Sequence, residues 1–226
     1  MSKALQNTTI LGILAMTMVF TQAWADQFRT FSVASNASVH VSEGSPDTNY
    51  DPVGDTLSIR YSAGSSWEGF VDWDLPSITL TSDAPGSVTN AKVVFSVYNN
   101  SGKLHLCEVL GDWAKESITW NTKPAVTAVL DSATVVSGQY VFESADINTL
   151  VEDWIKGDAI SYGFRVDSRY QPAAGTIHRV YSHSFADDIG LRPTLIFDAY
   201  VPEPASALLL VLASMALVCR RGRRRE

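Results

Sequence analysis

Val71-Asp72-Trp73-Asp74-Leu75 alternates apolar and acidic residues without a break. Successive side chains of a β-strand point to opposite faces, so Val71, Trp73 and Leu75 share one face and Asp72 and Asp74 the other. Ser38-Val39-His40-Val41-Ser42 has the same period, with Val39 and Val41 turned away from Ser38, His40 and Ser42. Further runs rich in Val, Thr, Phe and Tyr occupy residues 56–61, 91–98, 103–110, 160–167 and 193–200. Clusters of Gly, Asn, Asp, Pro and Ser separate them, as turns separate short strands. Residues 81–90, with Asp83, Pro85 and Gly86, read as a loop. Strands in this number, each with one apolar face, predict an all-β fold of two packed sheets, a β-sandwich or jelly roll.

One segment departs from the strand period. In residues 144–157, Ile147, Leu150, Val151, Trp154 and Ile155 recur at helical spacing. Ser144 stands where an N-cap belongs and Gly157 where a helix closes, so one short helix is expected with its stripe, Trp154 included, on the sandwich.

A chain of 226 residues, 46% hydrophobic and 18% charged, suits a single domain once its ends are set aside. Its formal charge of −7 hides a division, because Arg220, Arg221, Arg223, Arg224 and Arg225 crowd the C-terminus. Between Asp26 and Val201 there are 11 basic and 22 acidic residues, a net of −11. Such a body repels a phosphate backbone, which argues against nucleic acid as a partner. Cys107 is alone within the body, so no internal disulfide can form, and in Leu104-His105-Leu106-Cys107 it reads as a small buried strand residue.

The ends carry addresses. Lys3 precedes an apolar run over residues 10–20, followed by Ala23-Trp24-Ala25, a small-x-small site that predicts a signal peptide of residues 1–25 cut after Ala25. The body then spans residues 26–201. Val201-Pro202-Glu203-Pro204 leads into an apolar run over residues 205–218, closed by Cys219 and the arginines. Prolines end the preceding strand, the apolar run can enter a bilayer as a hydrophobic helix, and the arginines hold its far end on the cytoplasmic side. Residues 202–226 thereby resemble the PEP-CTERM sorting signal of Gram-negative bacteria. That resemblance implies an exosortase that cuts near Pro202, Glu203 and Pro204, membrane contact before processing, and delivery to the cell envelope, outer surface or extracellular matrix.

The landmarks of the body follow one another in a recognisable order: Ser45-Pro46-Asp47-Thr48-Asn49-Tyr50, Phe70-Val71-Asp72-Trp73-Asp74-Leu75, Asp112-Trp113, then Ser117-Ile118-Thr119-Trp120-Asn121 with Pro124. Val151-Glu152-Asp153-Trp154, Tyr162-Gly163-Phe164, Ser182 to Ser184 and Arg192-Pro193-Thr194-Leu195 complete the set. Nearly the whole body thus resembles the DNRLRE domain, a β-sandwich family allied to carbohydrate-binding modules. The chain departs from it at Asp51, where many relatives have Gly. The resemblance implies a non-catalytic module that binds polysaccharide or helps to build exopolysaccharide or biofilm structure.

Sugar recognition needs exposed aromatic faces and planar polar groups. Tyr50 and Trp67, in turn-like contexts, and Tyr170, between Arg169 and Gln171, are the candidate carbohydrate-binding aromatics. Trp73, Trp113, Trp120 and Trp154 occupy apolar or landmark positions and read as core. Asp47, Asn49, Asp51 and Asp55 place hard oxygen ligands in one loop, which calcium would suit, although the spacing is not an EF-hand and a turn of self-bonded Asp and Asn reads the same way. No arrangement of paired carboxylates is recognisable, and His178 and His183 read as alternating strand residues as readily as bases. A polysaccharide lyase or hydrolase on the same fold, or a purely structural surface-assembly protein, are the alternatives to a binding module.

Overall fold

The computed structural model describes residues 27–51, 54–76, 87–99, 102–169 and 176–201. The signal peptide with Ala23 and Ala25, the candidate Tyr170, and the sorting segment with Pro202, Glu203 and Pro204 lie outside these residues. Among the described residues no helix is long and apolar enough to cross a membrane. The body forms one unit, residues 30–199; the described parts of the second unit are residues 27–29 and 200–201.

Among the described residues eleven strands run in the order β1 (Gln27–Ala34), β2 (Ala37–Ser42), β3 (Thr56–Ile59), β4 (Trp67–Asp72), β5 (Val88–Asn99), β6 (Lys103–Val109), β7 (Val126–Thr134), β8 (Gln139–Glu143), β9 (Phe164–Asp167), β10 (His178–Tyr181) and β11 (Thr194–Val201). One sheet has the order β1-β11-β5-β10-β3, with β8 also paired to β5. The other has the order β2-β4-β9-β6-β7. Among the described residues the fold is therefore mostly β, two antiparallel sheets and one short α-helix, as the alternation predicts. Residues 88–90, expected in a loop, instead begin β5. There Val88 and Ala91 are buried, and β11 pairs from Ala199↔Val88 onwards. Residues 160–163, expected in a strand, precede β9, because Gly163 adopts a left-handed φ of +73° that ends regular pairing. A Cβ at Gly163 would lie 2.1 Å from the Val71 carbonyl oxygen, so only glycine allows that approach.

The helix α1 (Ala145–Lys156) has the predicted caps. Ser144 Oγ accepts a hydrogen bond from the Ile147 amide, and Gly157, at φ +78°, donates its N–H to the carbonyls of Asp153 and Trp154. Ile147, Val151 and Trp154 are buried against the main core, the Trp154 ring 5.1 Å from that of Phe164.

The central strands β4, β9 and β6 of the five-stranded sheet are buried on both faces, and this positions everything that follows. The pairings Val71↔Phe164 and Leu106↔Val166 place these side chains on the face that meets the other sheet, in one core with Leu57, Phe95 and Phe197. The pairings Val39↔Phe70, Phe70↔Arg165 and Cys107↔Arg165 define the opposite, outer face. Val39 and Val41 thus belong to a second, smaller cluster with Phe70, Val109 and Ile118, and residues 111–125 fold over it. Ser38, His40 and Ser42 lie on the Val71 side, at the margin of the sandwich.

Candidate functional site

Residues 111–125 leave part of the outer face open. Their course is set by side chains from residues 45–51. Asn49 Nδ2 donates to the carbonyls of Lys115 and Ile118, at 2.8 and 2.7 Å. Asn121 donates its amide N–H to the Pro46 carbonyl and its side-chain N–H to Asp47 Oδ1. Trp113 Nε1 donates to the Tyr162 carbonyl, and Thr119 and Thr122 close a turn through their hydroxyls. The loop is thereby anchored at three points, and it holds Trp120 and Lys123 beside the exposed end of β4 and β9.

What remains open is a groove of about 370 Å³. Strand period explains its floor. Arg165 and Asp167 are two residues apart on β9 and so share a face, while Glu68 lies on the same face of β4. Arg165 Nη2 donates to Asp167 Oδ2 at 2.6 Å, and Nη1 lies 3.6 Å from Glu68 Oε2. Lys123 Nζ donates to the same Glu68 oxygen at 2.8 Å while standing 3.1 Å above the centre of the Trp120 ring. Arg169 completes the set, with Nε 2.9 Å from Asp167 Oδ2 and Nη2 3.6 Å from Glu68 Oε1. Glu68, Arg165 and Asp167 are at most 7% exposed in their side chains, whereas Arg169 is 43% exposed. The floor is therefore a fixed ion network, and Arg169 is its arm towards solvent. Burial pulls the Lys123 ammonium below its ordinary pKa, against the pull of Glu68.

One wall is aromatic. Trp67, His40 and Tyr50 form a triangle of rings with centroid separations of 5.0, 5.3 and 6.3 Å and planes within 30° of parallel. The Arg60 guanidinium lies 5.0 Å from the Trp67 centroid and is held by hydrogen bonds to Ser65. Two of the three expected sugar-contacting aromatics, Tyr50 and Trp67, are thus brought together, both half-buried; Trp67 lines the groove.

Other expectations resolve individually. Trp73 and Trp154 are core residues, whereas Trp113 and Trp120 are only half-buried and pack on the smaller cluster. Trp120 lines the groove, a role its landmark position concealed. Of the four expected calcium ligands, Asp47 and Asn49 anchor residues 111–125, and Asn49 Oδ1 also accepts from the Asp51 amide as a self-bonded turn. Asp51 faces a neighbouring cavity, and Asp55 uses its backbone carbonyl to accept from Ser182. Among the described residues no group of three or more His, Cys, Asp or Glu side chains is placed to hold a metal ion. His183 lies between Ser38 Oγ, 2.8 Å from Nδ1, and Lys115 Nζ, 3.3 Å from Nε2. A lysine ammonium only donates, so Nε2 is the acceptor and Nδ1–H donates to Ser38, which is itself fully buried. Burial, then Lys115, depresses the His183 pKa. Cys107 is buried on β6, its thiol pushed up by burial and accepting from Arg165 Nη2.

A two-sheet antiparallel sandwich with a fixed polar groove on the outer face of one sheet, bordered by aromatic rings at the sheet margin, is the architecture of a carbohydrate-binding module. Comparison with known families agrees: the chain belongs to carbohydrate-binding module family 96, whose model matches residues 29–184. That match runs from within β1 through β10 and includes the groove floor and residues 111–125. No curated protein matches the chain.

Proposed function

We propose that this chain is an exported, non-catalytic surface or matrix protein of a Gram-negative bacterium that holds polysaccharide in the groove bounded by Trp67, Trp120 and Arg169. The observation that carries the reading is the groove. Planar guanidinium and carboxylate groups are fixed beside indole rings, and they hold their geometry before any ligand arrives, so little ordering cost attends binding. Its lining has four basic residues, Arg60, Lys123, Arg165 and Arg169, against three acidic ones, Glu43, Glu68 and Asp167. In a body of net −11, a lining with this basic excess offers a polyanion less repulsion than the average surface. The DNRLRE-like landmarks support the reading, since Thr119-Trp120-Asn121 supplies both a groove wall and a loop anchor. Residues 1–25 would direct export, and the PEP-CTERM-like tail would bring the body through an exosortase to an exopolysaccharide or biofilm matrix.

Affinity electrophoresis of the mature protein through gels containing a polyuronate or a neutral glucan tests the proposal. Retardation is expected, stronger with the polyuronate; free migration in every gel overturns it. Release of reducing ends or unsaturated products from either polymer would overturn the non-catalytic part alone. Mass spectrometry of the native mature protein should find Asp26 at the N-terminus and the tail absent.

A further inference from the structure

A second cavity of about 390 Å³ adjoins the aromatic triangle on its other side, where Tyr50 and His40 form the wall. Thr56 and Ser58 contribute hydroxyl-bearing side chains from β3, Arg179 comes from β10, and Asp51 follows the turn at Asn49. The two cavities differ in one chemical respect. On the floor of the first, Glu68, Lys123, Arg165, Asp167 and Arg169 pair with one another, whereas in the second neither the Arg179 guanidinium nor the Asp51 carboxylate makes a hydrogen bond or ion pair with any described residue. A planar donor fork, a planar acceptor and an aromatic ring beside two hydroxyls suit the paired hydroxyls and C–H face of a sugar ring. The triangle touches both cavities: Trp67 lines the first, and His40 and Tyr50, stacked beside it, line the second.

Resting on the reading of the first groove as a polysaccharide site, we infer that the second cavity is a further subsite for the same chain. The polymer crosses the Tyr50–His40–Trp67 wall, so the protein recognises an internal stretch of polysaccharide rather than a chain end. Arg179 and Asp51 bind hydroxyl groups of the sugar residue beyond the wall. Affinity therefore grows in two steps with chain length, the second step depending on Tyr50, Asp51 and Arg179.

The test is calorimetric titration of the full body with size-fractionated di- to octasaccharides of a polyuronate and of a neutral glucan. Variants Arg179→Ala, Asp51→Ala and Arg169→Ala are compared with the unaltered protein after their melting temperatures are shown to match. For each of Arg179→Ala and Asp51→Ala we expect a roughly tenfold or greater loss of octasaccharide affinity, the size of a lost charged hydrogen bond, with disaccharide affinity unchanged. Arg169→Ala should weaken both lengths. Full octasaccharide affinity in the Arg179 and Asp51 variants, with Arg169→Ala impaired, would overturn the second subsite and leave the first groove standing. No heat from any oligosaccharide with the unaltered protein would overturn both.

Discussion

The two faces of the five-stranded sheet obey the same alternation and are buried by different means. Phe164 and Arg165 are neighbours on β9, both almost inaccessible, and they point to opposite sides. Phe164 enters an apolar core closed by the second sheet and by α1. Arg165 enters a face closed half by residues 111–125 and half by mutual ion pairing with Glu68 and Asp167. The contrast teaches that burial alone does not mark the core of this molecule: one face is buried for stability, the other to hold charged groups in fixed positions. A network of that kind costs desolvation and brings little net stability, which points to another reason for keeping it.

Truncating either neighbour should destabilise the fold strongly. Phe164→Ala should cost about 3 to 5 kcal/mol by opening a cavity. Arg165→Ala should cost about as much, about 3 to 5 kcal/mol, by leaving buried carboxylates unpaired. The two losses differ in their remedy. Replacing Glu68, Arg165 and Asp167 together with apolar residues of similar volume should restore most of the stability in a urea melt while abolishing polysaccharide retardation. No such combination is expected to rescue Phe164→Ala.

A second distinction concerns pH. His40, at the sheet margin, has its pKa lowered from 6.5 to about 4 by burial, with Arg179 adding to the effect. The unfolded chain takes up this proton first as pH falls, so the contribution is fully present above pH 6.5 and declines towards pH 4. The total loss is about 3 kcal/mol, and His40→Asn should remove that part of the slope when stability is followed by urea melts across this range. On the outer face, Ile118→Ala should cost about 2 to 3 kcal/mol in the same assay, because Ile118 sits in the smaller cluster under the loop. The smallest effect is at the end of α1: Gly157→Ala, at φ +78° with open space around a new Cβ, should cost about 1 kcal/mol.

Much of this architecture was legible in the sequence because local periodicity decides it. The helix over Ala145–Lys156 with its two caps and the core positions of Trp73 and Trp154 follow from spacing and cap chemistry, whereas β4 ends at Asp72 and holds only the first two residues of the alternating run 71–75. The outer face did not follow. Period-2 alternation says that Val39 and Val41 share a face but not whether that face meets a second sheet or a loop, a choice made by contacts far apart in the chain. Asn49 and Asn121 make those contacts, and their residue types are equally at home in an isolated turn. The groove was half legible. Tyr50 and Trp67 were candidates by exposure, whereas Glu68, Lys123, Arg165, Asp167 and Arg169 stand over a hundred positions apart at the extremes and gave no local signal. One mark was available: Arg165 and Asp167 interrupt an apolar strand at spacing two, which places an ion pair on one face of a central strand.

The central claim is that the charged outer face holds polysaccharide, and Arg169 and Tyr61 allow it to be tested with little risk to the fold, since both are exposed at the groove. The measurement is affinity electrophoresis of the Tyr61→Ala, Arg169→Ala double variant beside the unaltered protein, in a gel containing whichever polymer retards the latter. The account expects a variant that melts at the same temperature and migrates freely. A folded variant retarded as strongly as the unaltered protein would contradict it.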